Sequence, residues 1–211
     1  MYLSRLLLDP RSRLVRRDLA DAQELHRTIL SGFGQAPEGT DARAHFGVLH
    51  RTEINSRKAE IAVLVLSRET PDWTKLPAGV LAATPATKRV DVAYASIRAG
   101  ASFRFRLVAN PTRAAFVRGE RGTRRSITSD EERLAWLGRQ LGRAGARVVS
   151  AETQPLLPVV LRNGDKPLSL PSVRFDGLVE VENPAAFQAA LVDGIGAGKA
   201  YGMGLLTIAA A

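Results

Sequence analysis

RAGASFRFRLVANP, residues 98–111, is the stretch on which the division of the chain turns. Within it Phe103, Phe105 and Leu107 alternate with Arg104 and Arg106, so apolar side chains leave one face and guanidinium groups the other. That is the period of a half-buried strand. Asn110-Pro111 ends the pattern, and RAGA stands just ahead of it, after another apolar segment. A joint at 98–101 follows if the order of elements before it starts again after it.

Before the joint, YLSRLLL (2–8) reads as a short strand and DLADAQELHRTILSGF (18–33) as a helix. Its apolar stripe holds Leu19, Ala22, His26, Ile29, Leu30 and Phe33. Asp21 and Glu24 resemble an N-terminal capping pair, and Gly32, Gly34, Pro37 and Gly39 break the helix. FGVLHRTEI (46–54) and AEIAVLVLS (59–67) form a hairpin across the polar turn NSRK. A short helix fits within 71–90, and VDVAYASI (90–97) is expected to close the unit as a strand. After the joint, SFRFRLV is followed by a helix in SITSDEERLAWLGRQLGRAG, with Thr128 three residues before Glu131 and a stripe of Leu134, Leu137, Leu141 and Ala144. Strands around 156–162 and 168–181 flank Asn163-Gly164, a strong hairpin signal. PAAFQAALVDGI (184–195) is a second helix and GLLTIAA (204–210) a last strand. The order strand-helix-strand-strand-helix-strand, read twice, predicts an α+β fold of two tandem ferredoxin-like (βαββαβ) domains, 1–97 and 98–211.

The 211 residues carry 30 Lys and Arg against 21 Asp and Glu, a net charge of +9 that favours polyanionic partners. The absence of cysteine excludes disulfides, thiol nucleophiles and thiolate metal sites. His26, His45 and His50 have no carboxylates spaced to complete a metal set. No apolar run reaches the ~18 residues of a membrane span, and Arg5 and Asp9 interrupt MYLSRLLLDP, unlike a signal peptide. A cytoplasmic protein with no membrane partner, metal or cofactor is expected.

GIGAGKAYGMG (194–204) sets five glycines around Lys199. It is not a Walker loop, since Asp193 stands where the first glycine belongs and Ala200 where Ser or Thr would bind magnesium. Nor is it a dinucleotide fingerprint, because it follows a helix and precedes a strand. Exposed backbone N–H groups beside a lysine nonetheless suit a phosphate or an RNA backbone. Arg16 and Arg17 in the cluster Arg11 to Arg17, Arg124 and Arg125 in Arg118 to Arg125, and Arg162 and Lys166 at the hairpin tip are further phosphate-contact candidates. Arg104, Arg106, Arg133, Arg139 and Arg143 equally suit a solvated face. The strands lack the aromatic pattern on which bases would stack. A lone histidine on an apolar stripe is more often packed than catalytic. His26, however, has Gln23 and Arg27 one turn away and Arg16 and Arg17 just ahead, so a phosphate could be held there.

MYLSRLLL, RRDLADAQELHRT, FRLVANPTR, ERLAWL, VRFDGLVEV and GIGAGKAYGMGLL, in this order and nearly end to end, resemble the motifs of the CasE family. These are endoribonucleases of the RAMP superfamily that cut CRISPR repeat hairpins. Two positions depart from the pattern: Gln23 aligns with a family tyrosine and Val108 with the second arginine of FRLRANP.

The resemblance implies a metal-independent reaction in which the ribose 2′-hydroxyl attacks the scissile phosphate and leaves a cyclic 2′,3′-phosphate. His26 is then the general acid or base, with the acid for the leaving oxygen favoured. Gln23 cannot exchange a proton and is left to position RNA. Arg27 and Lys199 contact the phosphate, while the Asn163-Gly164 hairpin and the second-half basic loop grip the stem, with the cut at its 3′ base. Expected partners are the repeat hairpin RNA and the other subunits of a Cascade-type complex. Two alternatives stand beside this reading. One is an end-cap that binds the hairpin with little or no catalysis; the other is a ribosomal or regulatory RNA binder, which leaves the glycine-rich ending unexplained.

Overall fold

The computed structural model describes residues 1–115, 123–162 and 167–211. The first half contains β1 (Tyr2–Leu8), α1 (Arg13–Ala20), α2 (Ala22–Leu30), α3 (Ala42–Phe46), β2 (Leu49–Asn55), β3 (Glu60–Ser67) and β4 (Ala86–Arg89), followed by the short helix α4 (Asp91–Ala95). The second half contains β5 (Ser102–Ala109), β6 (Thr112–Ala115), β7 (Thr123–Ser126), α5 (Asp130–Arg143), β8 (Ala146–Leu161), β9 (Leu168–Val181), α6 (Pro184–Asp193) and β10 (Thr207–Ala210). Two antiparallel sheets run β2-β3-β1-β4 and β10-β5-β9-β8, and β6 pairs with β7 apart from them. In both sheets the first strand of the half lies between the third and the fourth, which is the ferredoxin-like order twice over.

The alternation in β5 is used as read. Phe105 and Leu107 are buried with Trp136, Leu137, Phe175 and Phe187 in the second core, while Arg104 is exposed. In the first half Leu6, Val63 and Val65 of the sheet pack against Val15, Leu25 and Ile29 of α1 and α2. A small cluster of Leu49, Leu66, Val90 and Leu205 joins the halves. Among the described residues no helix is long and apolar enough to cross a membrane.

Several elements differ from their sequence reading. Residues 18–33 do not form one helix, because Asp21 is extended (φ −144°, ψ 110°), ends α1 and caps α2 by accepting from the Gln23 N–H. The break resets the helical phase. Leu25, Thr28 and Ile29 become the buried face and His26 moves to its edge. Within 71–90 a single 3₁₀ turn, Trp73–Lys75, stands where a second helix would pack. Its buried indole donates to Ser4 Oγ at 3.1 Å and Thr87 Oγ1 at 3.3 Å and meets Phe33 edge-on. VDVAYASI is not the closing strand. That strand is β4, an exposed edge strand held to β1 through its backbone and so without a hydrophobic signature; Asp91 starts α4 instead. The cap of α5 is Ser129, accepting from the Glu132 N–H at 3.2 Å, one residue beyond the expected pair. β8 begins at Ala146, well before 156, and follows β9 through two irregularities of register.

Candidate functional site

The phase break at Asp21 turns His26 toward β2 and the glycine-rich segment. His26 is half-buried, and its Nδ1 is buried with no hydrogen-bond partner. Its ring stacks on that of His50 in β2, with centroids 6.0 Å apart and planes 23° from parallel. His50 is 0% exposed and both of its ring nitrogens lack partners. Burial, and then the proximity of His26, push the His50 pKa down to about 3, so this imidazole is neutral.

The glycine-rich segment covers His50. Gly194, Gly196, Gly198, Gly202 and Gly204 all have positive φ, so a tight backbone path by itself accounts for the five glycines. A Cβ at Gly202 would sit 3.5 Å from His50 Nε2, an ordinary contact distance, so the turn lies directly on this ring; the requirement is also spatial at Gly198, where a Cβ would meet Met203 Cε at 2.5 Å. The Gly204 N–H donates to Val108 O at 2.7 Å, tying the loop to the end of β5. The Val108 side chain is buried, so no cation replaces the arginine of the resembling motif at that position. The segment delivers a 3₁₀ turn, Lys199–Tyr201, packed on α2 and β2.

Arg43 completes the site. It sits in α3, whose N-terminus Asp41 caps by accepting from the N–H groups of Arg43 and Ala44. Burial first, and then the Arg43 guanidinium, lower the His26 pKa, with Asp41 opposing. Burial and then Arg43 likewise lower that of Lys199, with Asp193 opposing. Arg43 thus lies close to both the His26 imidazole and the Lys199 ammonium, and the three groups come from separate elements. Such an arrangement can take a proton and stabilise an oxyanion beside it. Sequence reading missed Arg43 and the role of His50. The only signal was that His50 is one of three histidines, and nothing in the pattern marked Arg43.

Of the expected residues, Gln23 lies half-buried one turn before His26, and Lys199 starts the 3₁₀ turn that packs on the same helix. Arg27 is exposed and paired with Glu24. Arg17 pairs with Asp18 at 2.8 Å and Glu24 at 3.4 Å, and Arg16 donates to the carbonyls of Pro10 at 3.3 Å and Arg11 at 2.6 Å. These three arginines therefore already hold neighbouring chain. Arg124, Arg125 and Arg162 are exposed on the second half, away from His26 in sequence and element. Lys166, the Asn163-Gly164 turn and the Arg118 and Arg121 part of the second basic cluster lie outside the described residues.

The chain matches the family described as CRISPR associated protein over residues 1–210. It is 34% identical over 221 residues to the CRISPR-associated endoribonuclease Cse3 of Thermus thermophilus, covering 99% of this chain and 100% of that protein. It is 28% identical over 217 residues to the CRISPR system Cascade subunit CasE of Escherichia coli, covering 99% of each. Among solved structures, that of Thermus thermophilus Cse3 bound to an RNA representing a pre-cleavage complex superposes with a TM-score of 0.80 at 31% identity, over 99% of this chain and 98% of that one.

Proposed function

Since the chain belongs to the CRISPR-associated protein family of Cse3 and CasE, we propose that it is an endoribonuclease that cuts CRISPR repeat hairpin RNA to guide RNA and stays with the product in a Cascade-type complex. The observation that carries the reading is the convergence of His26, Arg43 and Lys199 from α2, α3 and the glycine-rich loop in a chain matching Cse3 along its whole length. The name of the Escherichia coli relative supports the place in a Cascade complex.

His26 takes the proton of the ribose 2′-hydroxyl. The resemblance alone favours the acid role, but burial and Arg43 keep this imidazole neutral, and a neutral imidazole accepts a proton. The 2′-oxygen then attacks the adjacent phosphorus and the phosphorus–5′-oxygen bond breaks; water protonates the leaving oxygen, the His26 imidazolium returns its proton to the hydroxide so formed, and a 2′,3′-cyclic phosphate and a 5′-hydroxyl remain. Lys199 and Arg43 neutralise the added phosphoryl charge, so the chemistry requires no metal. The catalytic helix belongs to the unit 1–97, and the unit 98–211 supplies the lysine loop and the basic surface for the stem. Gln23 orients the RNA.

The test is single-turnover cleavage of a repeat hairpin by the purified protein. Cutting should survive EDTA and stop when a 2′-deoxyribose precedes the cut, because the nucleophile belongs to the RNA. Loss of activity with chelator, restored by magnesium, would refute the mechanism. A second reading, an end-cap that binds without cutting, is favoured by one observation, the glutamine at position 23 where the resembling motif has tyrosine. Tight binding of an intact hairpin in the same experiment would establish it.

A further inference from the structure

His50 is a polar ring where an apolar one would cost less. It lies in β2 opposite Val65 of β3, is 0% exposed, and both of its ring nitrogens lack hydrogen-bond partners among the described residues. Phenylalanine would fill the same space without two unsatisfied nitrogens, so the imidazole is kept at a cost in stability. The backbone of the 3₁₀ turn lies on the ring at Gly202 and closes it from solvent. With its pKa pushed down to about 3 by burial, the ring stays neutral near neutral pH and always offers one nitrogen lone pair.

His26 has the complementary need. Its Nδ1 is buried and unpartnered, which leaves Nε2 as the outward atom able to meet a 2′-hydroxyl. To accept a proton there the neutral ring must carry its hydrogen on Nδ1, the tautomer less favoured in free histidine, and a buried acceptor facing Nδ1 selects it. The charged groups on the elements around α2 are Arg17 and Asp18 of α1, Asp41 and Arg43 of α3, Lys199 of the 3₁₀ turn, and Arg147 and Glu152 of β8. Only Arg43 and Asp41 lie close enough to shift His26, and neither bonds Nδ1. His50 stacks on the same ring, with centroids 6.0 Å apart. At that spacing no hydrogen bond joins the two rings directly, and one water molecule spans their nitrogens.

We infer that His50 is a positioning residue for the cut: its lone pair, through one bridging water, holds His26 as the Nδ1–H tautomer and so aims a free Nε2 at the ribose. The inference rests on the endoribonuclease reading and deepens it. His26 Nδ1–H donates to the water, and the water donates to His50, so the proton of the 2′-hydroxyl has one nitrogen to go to.

The test reads tautomer and rate together on the full-length protein. Long-range ¹H–¹⁵N correlation spectra show which nitrogen of each imidazole carries hydrogen, and with three histidines in the chain His26→Gln and His50→Phe assign the signals. Wild type near neutral pH should show His26 with its hydrogen on Nδ1, a result that decides even where a variant does not fold. In H50F the hydrogen should move to Nε2 and the single-turnover plateau should fall about 10-fold, a smaller loss than the ~10²-fold of removing the base itself, with hairpin affinity unchanged. The water-bridged acceptor favours the imidazolium over the neutral ring, so its loss should also move the kcat/KM midpoint to lower pH. H50Q, which keeps an acceptor near the position of Nε2, should restore the tautomer and most of the rate. A wild-type His26 carrying its hydrogen on Nε2, or an H50F variant that keeps the wild-type tautomer, rate or midpoint, would overturn the inference. Cleavage by a protein whose His26 is the Nε2–H form would sink the positioning role and leave the nuclease. An Nδ1–H form that depends on His50, in a protein that cuts nothing, would do the opposite.

Discussion

His26 and His50 stack at 6.0 Å, yet only His26 reaches the surface, so two imidazoles of one cluster sit in different surroundings. His26 keeps access to solvent, with its pKa held below the ordinary 6.5 by burial and by Arg43. His50 stays neutral beneath it.

The first prediction concerns the pH dependence of cleavage. As a base His26 must be unprotonated, so kcat/KM, which reports the free enzyme, should rise with pH through a midpoint below 6.5 and then level off. A rate that instead falls as pH rises through that midpoint would make His26 the acid. His26→Ala should lower the single-turnover rate by about 10²-fold or more and leave hairpin affinity nearly unchanged. A parallel loss of affinity would mean that His26 is structural.

His50 should make the fold acid-sensitive. Above pH 6.5 neither the folded nor the unfolded chain protonates this residue. Below it the unfolded chain takes up a proton that the folded one refuses until about pH 3. Its share of the stability should therefore fall as pH drops through that window, by about 1.4 kcal/mol per pH unit. His50→Phe removes the titration. Urea unfolding at pH 7 and pH 4.5 should show a smaller acid loss in the variant than in the wild type; equal losses would place the sensitivity elsewhere.

The parts of the fold that were legible in the sequence are those with an apolar period. The alternation of β5 and the stripe of α5 survive in the structure because burial dictates both. β4 was missed because an exposed edge strand is defined by backbone pairing with β1, which leaves no mark on side-chain type. At the candidate site, motif order is what singles out His26, Gln23 and Lys199 in the sequence. The helix phase that exposes His26 was not legible there, because it depends on one extended residue, Asp21. Arg43 was invisible for another reason: its role comes from where α3 falls in space.

Arg51 shows a tertiary role of the same kind and yields a stability prediction. It is 2% exposed, reaches from β2 to the second half, and donates to the carbonyls of Arg106 and Leu205, each at 3.1 Å, and to Thr207 Oγ1 at 2.9 Å. Glu53 balances its charge at 2.7 Å. Arg51→Ala removes a buried guanidinium and leaves the carbonyls of Arg106 and Leu205 without this donor, so it should destabilise the protein by about 2–4 kcal/mol in denaturant unfolding. Arg51→Lys should rescue little, since an ammonium lacks the planar fork. Arg147→Ala, at the exposed Arg147–Glu180 pair of 2.8 Å, should cost no more than about 1 kcal/mol. Comparable losses at the two positions would remove Arg51 as the clamp between the halves.

Gln23 tests both the register of α2 and the chemistry. Asp21 fixes that register by capping the Gln23 N–H at 3.0 Å, which puts the side chains of 23 and 26 one turn apart on one face, within reach of the same phosphate. A carboxamide can hydrogen-bond that phosphate but cannot exchange a proton with it. Gln23→Ala should therefore slow single-turnover cleavage by no more than a lost hydrogen bond, about 0.5–1.5 kcal/mol of activation free energy. Gln23→Tyr, which restores the residue of the resembling motif, should place a phenol beside the reacting group and raise the rate. The side chain is half-buried at the first turn of the helix, so the larger ring has solvent on one side to enter. A tyrosine variant that folds and binds the hairpin but cuts no faster would show that position 23 only positions RNA here, leaving His26 as the sole proton-transfer group on α2.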